Sequence, residues 1–289
     1  MAKQKEQLKG NQTESAKSKI VWTIAWIFVI IQLVITLAPF FFMVLNSFRK
    51  QFDMLTQGVF HLPDPWIFDN YVKIVANGFF GYFMRSVILV AGCLVLLLAI
   101  SSCAAYPLAR MNFKSRAFIY ACIIACMSVP MHVTLIPVFK LTQDMGIYNT
   151  LWSLVGPYVT FALPMSVFIL VGFMKTIPNE LEEAAEIDGC NKFSNFIHVI
   201  LPLTKPGLST LAIYNGVSMW NEFAFANTMI NDPKYKTLPL ALGQFKGEHS
   251  MDIPIQLAVL TLSALPMIIL FICFQDKLVK GMMAGAVKG

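Results

Sequence analysis

Residues 182–203 read EEAAEIDGCNKFSNFIHVILPL and lie between two long apolar runs. Pro178 and Asn179 predict a helix start, because proline cannot continue a preceding helix and Asn is a good N-cap. Good helix formers follow from Glu180, and Gly189 ends that helix or turns the chain. A second short helix is expected over 192–200, with Phe193, Phe196, Ile197 and Ile200 at the i, i+3, i+4, i+7 spacing of one face. Pro202 and Pro206 stop it. A fully buried Phe or Ile is worth roughly 1.5–3 kcal/mol, so this stripe needs a partner. The headgroup layer is one candidate and a protein is the other. Interfacial helices usually carry Lys and Arg on their polar face. The first helix here is acidic instead, with Glu180, Glu182, Glu183, Glu186 and Asp188, which favours a protein.

The surroundings of this loop are those of a membrane protein. Of 289 residues, 57% are hydrophobic and 13% are charged, against about 25% charged in soluble domains. A bilayer core needs about 20 apolar residues per helix. Six segments qualify: 22–45, 83–109, 117–141, 150–174, 208–230 and 257–277. The second is uncharged through most of its length. Its Gly92, Ala99, Ser101, Ser102, Ala104 and Ala105 are small enough for close helix approach. Pro164 and Pro266 fall inside spans four and six, where neighbouring groups can satisfy the freed carbonyls. The polar segment 1–19 precedes an apolar run too long for a cleavable signal, so that run is expected to stay as the first span.

Lys and Arg in the connections set the orientation. Fourteen fall on one side: five in 1–19, and three each in 110–116, 175–207 and the tail. Six fall on the other side, so both termini and the loop 175–207 are expected to be cytoplasmic. The net charge of +6 is scattered between apolar runs and does not read as a nucleic-acid surface. The six cysteines read as small packing residues of membrane helices, and none stands at metal-binding spacing.

The fifth span is the least lipid-like, with Tyr214, Asn215, Ser218, Trp220, Asn221 and Glu222. An acid within a span is expected to face the bundle interior or a water-filled path. Neutral hydrogen-bonding groups beside aromatic rings suit a sugar, so these six are candidates for a translocation path. Hydrogen bonding between helices is the alternative. For His132 the choice is between a gate and a bond within the bundle, and Lys140 is expected to snorkel. The chain contains no G-x-x-x-x-G-K-[ST] phosphate loop and no recognisable catalytic constellation. Energy from ATP would have to enter through another subunit.

The loop resembles the EAA signature of binding-protein-dependent ABC importer permeases. In that family Glu-Ala-Ala is followed after three residues by Gly, and after about nine more by Ile-x-Leu-Pro. Here Glu183, Ala184, Ala185, Gly189 and Val199-Ile200-Leu201-Pro202 match, with Val199 where Ile is usual. Stretches across almost the whole chain are similar to the carbohydrate-uptake branch and to its second, MalG-like membrane subunit. They include RSVILVAGCLVLLLAISSCAAYPLARMNFKSR, VPMHVTLIPVFKL, GIYNTLWSLVGPY, MWNEF and the final GMMAGAVKG. Arg85 stands where that branch often has Asn.

The resemblance implies an all-α integral membrane protein. Its six spans form a permease domain over 20–280, with a two-helix coupling loop at 175–207 and a C-terminal tail at 281–289. It implies ATPase contact by Glu182, Glu183, Ala184, Ala185, Asp188, Gly189, Phe193, Phe196, Ile197, Leu201 and Pro202. It also implies that Gly281, Ala284, Gly285, Lys288 and Gly289 reach the interface between two ATPase subunits. The implied partners are a second homologous permease subunit, the ATPase dimer, an extracytoplasmic sugar-binding protein and membrane lipid. The chain itself would bind no cofactor, since ATP and Mg would be used by the ATPase. The setting would be a bacterial or archaeal cytoplasmic membrane. Rival readings are an ABC permease for another solute, an ion-coupled transporter, which would need mid-membrane ionisable pairs and an inverted repeat, and a non-transporting scaffold.

Overall fold

The computed structural model describes residues 2–245 and 252–286, with side chains at 19–245 and 252–273. The described residues are helical, without strands. The order is α1 (Ala2–Asn46), α2 (Gln51–Gln57), α3 (Asp69–Ala76), α4 (Phe79–Arg110), α5 (Arg116–Ala125), α6 (Leu135–Asp144) and α7 (Trp152–Lys175). After these come α8 (Glu180–Ile187), α9 (Lys192–Asn195), α10 (Leu201–Leu203), α11 (Lys205–Trp220), α12 (Ala224–Met229), α13 (Leu238–Ala241) and α14 (Ile253–Ala286).

Among the described residues, four helical stretches are long and apolar enough to cross a bilayer: Lys19–Asn46, Phe79–Arg110, Trp152–Lys175 and Ile253–Cys273. Within hydrocarbon each backbone N–H and C=O needs an internal partner, and an unbroken helix provides one. The third span is bent and the fifth is interrupted at 221–223, which corrects the uniform helices expected at 117–141 and 208–230. Counting each bent pair as one crossing gives up to six.

In the third span, Arg116–Ser128 and Met131–Asp144 meet at 86°. Val129 is extended there (φ −81°, ψ 114°). It precedes Pro130, whose ring disfavours helical geometry at the residue before it, and Val is itself β-branched. At the inner end of the fifth span, the loop piece Lys192–Leu203 meets Lys205–Trp220 at 68°, at the stop expected from Pro202 and Pro206. The outer part of that span is a separate short helix, α12, beyond a break at 221–223.

The framework is α4 against α7. On α4 the buried Ser86, Leu89, Val90, Cys93, Leu97, Ser101 and Ala105 recur every three or four residues, which puts them on one face. Gly92 and Ala99 lie on the exposed side, so they serve no close approach within this chain. The glycine that does is Gly207: a Cβ there would lie 2.9 Å from the Phe173 ring of α7. Of the six cysteines, Cys93 is buried and Cys190 half-buried. Cys103, Cys122, Cys126 and Cys273 lie on the outer surface of this chain.

Two apolar clusters divide the interior. One gathers Leu89, Cys93, Leu154, Tyr158, Trp220, Phe225 and Val259. The other gathers Ala105, Tyr106, Val167, Leu170, Met174, Phe196, Ile200 and Leu211 under the 180–203 loop. The connection 46–78 is tied down by Arg49, which donates to the carbonyls of Gly58 (2.8 Å) and Asp53 (2.9 Å) and to Asn46 Oδ1 (3.0 Å).

Candidate coupling loop and translocation cavity

The 180–203 segment forms the two helical pieces expected, joined at Gly189. The amide of Cys190 donates to Ala185 O (2.9 Å) and that of Gly189 to Glu186 O (3.1 Å), a Schellman turn. Gly189 sits at φ +88°, where L side chains are strained, and open space surrounds its missing Cβ. Asn191 caps α9, accepting from the Ser194 amide at 2.8 Å. The second piece is not one α-helix over 192–200. It widens to a π-helix at Phe196–Ile200, ahead of Pro202, whose ring would clash with the carbonyl four residues back.

The apolar stripe is divided. Phe196 and Ile200 are buried inside the chain, and the Phe196 ring lies 4.9 Å from that of Tyr106 on α4. Phe193 is 71% exposed, Ile197 is partly exposed, and Ile187 is 86% exposed. Half of the stripe is therefore satisfied by its own bundle, which corrects the expectation of a wholly unpartnered face. Glu183, Ala184, Asp188, Gly189 and Pro202 are exposed, whereas Ala185 is buried and Leu201 half-buried. Together with Ile187 and Phe193, the exposed members form an outward face with both acidic and apolar character.

Glu182 belongs to the inner face. Its Oε1 lies 2.9 Å from Arg110 Nε, an ion pair by distance that is not aligned as a hydrogen bond. Arg110 also donates to Asn179 Oδ1 (2.6 Å) and to Ile177 O. Asn179 makes no side-chain cap on α8, because its side chain serves Arg110 instead. Asn195, fully buried, donates to Glu182 O at 3.3 Å and ties the two pieces together. On the surface, Lys192 pairs with Glu186, and that hydrogen bond raises the Lys192 pKa. Arg110, Tyr106 and Asn195 were absent from the sequence-derived site. Arg110 at a span end reads as an orientation signal, and only its i, i+4 spacing from Tyr106 hints that both could meet the loop.

The polar residues of span five separate onto two sides. Tyr214, Asn215, Ser218 and Glu222 line a cavity of about 160 Å³ together with Met131, Tyr158 and Met165. Trp220 and Asn221 turn toward a larger, mainly apolar hollow of about 1180 Å³ between α1, α11, α13 and α14. Ligand pockets run to roughly 300–1,000 Å³, so the smaller cavity is below the size of an ordinary ligand site.

Glu222 accepts from Tyr158 OH (2.9 Å) and from the amides of Phe225 (2.8 Å) and Ala226 (3.1 Å). It caps α12 as well as facing the cavity. Asn215 donates to Ser166 Oγ (3.2 Å) and Leu211 O (3.0 Å), so it joins α11 to α7. His132 is exposed, and its neighbour Met131 lines the cavity in its place. Lys140 is exposed near the end of α6. Gly281, Ala284 and Gly285 fall on the backbone of α14 beyond its described side chains, and Lys288 and Gly289 lie outside the described residues.

A multi-pass helical bundle with a two-piece loop gripped by one of its spans is the architecture of a membrane permease. The chain belongs to the family described as binding-protein-dependent transport system inner membrane component, whose model matches residues 97–284. It is thus a permease subunit of an ABC importer. It is 46% identical over 264 residues to a Caldicellulosiruptor sp. (strain Rt8B.4) protein named as an ABC transporter permease, ORF2, covering 91% of this chain and 96% of that one. It is 34% identical to the multiple sugar-binding transport system permease protein MsmG of Streptococcus mutans, covering 93% and 95%. Among solved structures, a bacterial ABC transporter involved in import of the acidic polysaccharide alginate shares the fold, with a TM-score of 0.79, 20% identity, and coverage of 89% and 96%.

Proposed function

We propose that this chain is one of two membrane subunits of an ATP-driven importer of sugars or oligosaccharides, and that residues 180–202 dock into a separate ATPase. The observation that carries the docking is the outward face of the loop. Ile187 and Phe193 stand exposed beside Glu183 and Asp188, although the same loop buries Phe196 and Ile200 in its own bundle. The sugar cargo is supported by the names of several relatives. MsmG is one, and others are a diacetylchitobiose uptake permease of Streptomyces coelicolor and a trehalose/maltose permease of Thermococcus litoralis.

In this reading the chain binds no cofactor and hydrolyses nothing, and ATP and Mg act in the ATPase dimer. Both termini and the loop face the cytoplasm of a bacterial or archaeal cell, following the Lys and Arg bias of the connections. A solute-binding protein delivers cargo from outside. Closure of the ATPase dimer moves the loop, and the bundle changes from inward-facing to outward-facing as an equilibrium biased by differential contacts. Gly281 through Gly289 would approach the ATPase interface.

The test is co-purification of the chain with its second permease and ATPase subunits, followed by ATP hydrolysis with the binding protein across a panel of sugars. Sugar-dependent stimulation is expected. Stimulation by amino acids or peptides alone would reassign the cargo, and failure of any ATPase to bind through 175–207 would remove the docking assignment.

A further inference from the structure

Helix α4 is held to the rest of the chain by specific side-chain contacts near both of its ends. At its inner end Tyr106 and Arg110 lie one turn apart and grip the two halves of the loop separately. The Tyr106 ring packs at a tilt against Phe196, centroids 4.9 Å apart, and Arg110 holds Glu182, Asn179 and Ile177. At its outer end Arg85 and Ser86 grip the connection between spans five and six. Arg85 Nε donates to Lys236 O at 2.8 Å, and Ser86 Oγ accepts from the Leu238 amide at 2.8 Å. Arg85 also lies 4.7 Å over the Tyr82 ring. Between the clamps the helix is continuous, with Pro107 accommodated in its last turn, and at about 1.5 Å per residue the 25 steps from Arg85 to Arg110 span roughly 37 Å. Span three, by contrast, is bent by 86° and span five is interrupted at 221–223, so neither is a continuous helix from end to end.

We propose that α4 is the rod that carries movement of the 180–203 loop to the outer segment 231–238, with Arg110 as the positioning residue that fastens the rod to the loop. This rests on the docking reading above. It also divides the two neighbouring acids of the loop: Glu182 faces inward onto the rod, and Glu183 faces outward. A helix fastened at only one end would turn within its groove without moving the far contact. Polar clamps at both ends make the two loops share one displacement, and the packed α4–α7 face keeps the rod from buckling.

The experiment is hydrogen–deuterium exchange on the assembled importer, with and without MgATP and vanadate to trap the ATPase closed. In the wild-type chain, trapping is expected to change exchange at both 180–200 and 231–238. In Arg110→Gln the change at 180–200 is expected to persist, because the outward face is untouched, while the change at 231–238 falls at least fivefold. Arg110→Lys, which keeps the charge toward Glu182, should recover part of it. A response at 231–238 within twofold of wild type in Arg110→Gln would overturn the proposal. So would loss of the response at 180–200 in that variant, since Arg110 would then shape the docking surface and not the rod. Absence of any response at 180–200 in the wild-type complex would instead count against the docking reading itself.

Discussion

Arg110 in the last turn of α4 and Glu182 in the first turn of α8 lie 2.9 Å apart, with their side chains 6% and 12% exposed. The neighbouring Glu183 points the other way and is exposed. Removing one partner of a mostly buried ion pair leaves an uncompensated charge, at a cost of about 3–5 kcal/mol. Exposed substitutions usually stay within about 0.5 kcal/mol. Glu182→Ala is therefore expected to lower the thermal unfolding midpoint of the detergent-purified chain clearly, and Glu183→Ala to leave it almost unchanged. Equal shifts would contradict the division between inner and outer acids.

Gly189 permits a graded experiment. Its φ of +88° is strained for other residues, yet no atom lies within 4 Å of an added Cβ. Gly189→Ala should then cost only the backbone term, about 1–2 kcal/mol, and Asn, which tolerates left-handed geometry, should cost less. Gly189→Trp adds bulk to the outward face and should separate ATP hydrolysis from uptake while the chain still inserts. Normal uptake by the Trp variant would sink the assignment of this turn to the docking surface.

Parts of this structure were legible in the sequence because they depend on local chemistry. Spans α4 and α7, the turn at Gly189 and the helical halves of the loop follow from apolar length and backbone freedom. Other parts depend on neighbours that no window of sequence contains. Pro164 is absorbed within α7, whereas Pro130, after a β-branched Val129, turns its span by 86°. Hydropathy treats the two prolines alike. The stripe of Phe193, Phe196, Ile197 and Ile200 has helical spacing, but the partner of its inner half is Tyr106, about ninety residues earlier. Among the six polar candidates of span five, helical spacing alone would group Asn221 with Tyr214 and Ser218. The helix breaks at 221–223, and Asn221, on one face with Val217 and Trp220, lines the other hollow.

Glu222 tests whether that break is structural. It accepts one side-chain and two backbone hydrogen bonds. Tyr158→Phe removes one hydrogen bond to a charged group, a loss of about 1.5–3 kcal/mol. Glu222→Ala removes the α12 cap as well, adding about 0.5–2 kcal/mol. Both variants should lower thermal stability in that order. In transport assays on the assembled importer, the KM for cargo should change less than twofold in Tyr158→Phe. A large KM change without a stability change would make this pair a cargo contact first and a cap second.

The approach of α11 to α7 at Gly207 supplies the last prediction. An added Cβ would meet the Phe173 ring at 2.9 Å, closer than real contacts allow, and Gly207 is buried. A planar ring packed between helices cannot withdraw as a flexible side-chain end would. Gly207→Ala should therefore push the two helices apart and cost about 1–3 kcal/mol, the usual penalty for overpacking. Phe173→Leu replaces the ring with a smaller, more adaptable group and should be mildly destabilising alone. Combined with Gly207→Ala it should recover at least half of the loss, because the two sites share one contact and their effects do not add. Thermal unfolding of the two single variants and the double variant gives the coupling directly. Strict additivity would show that Phe173 is not what holds position 207 to glycine.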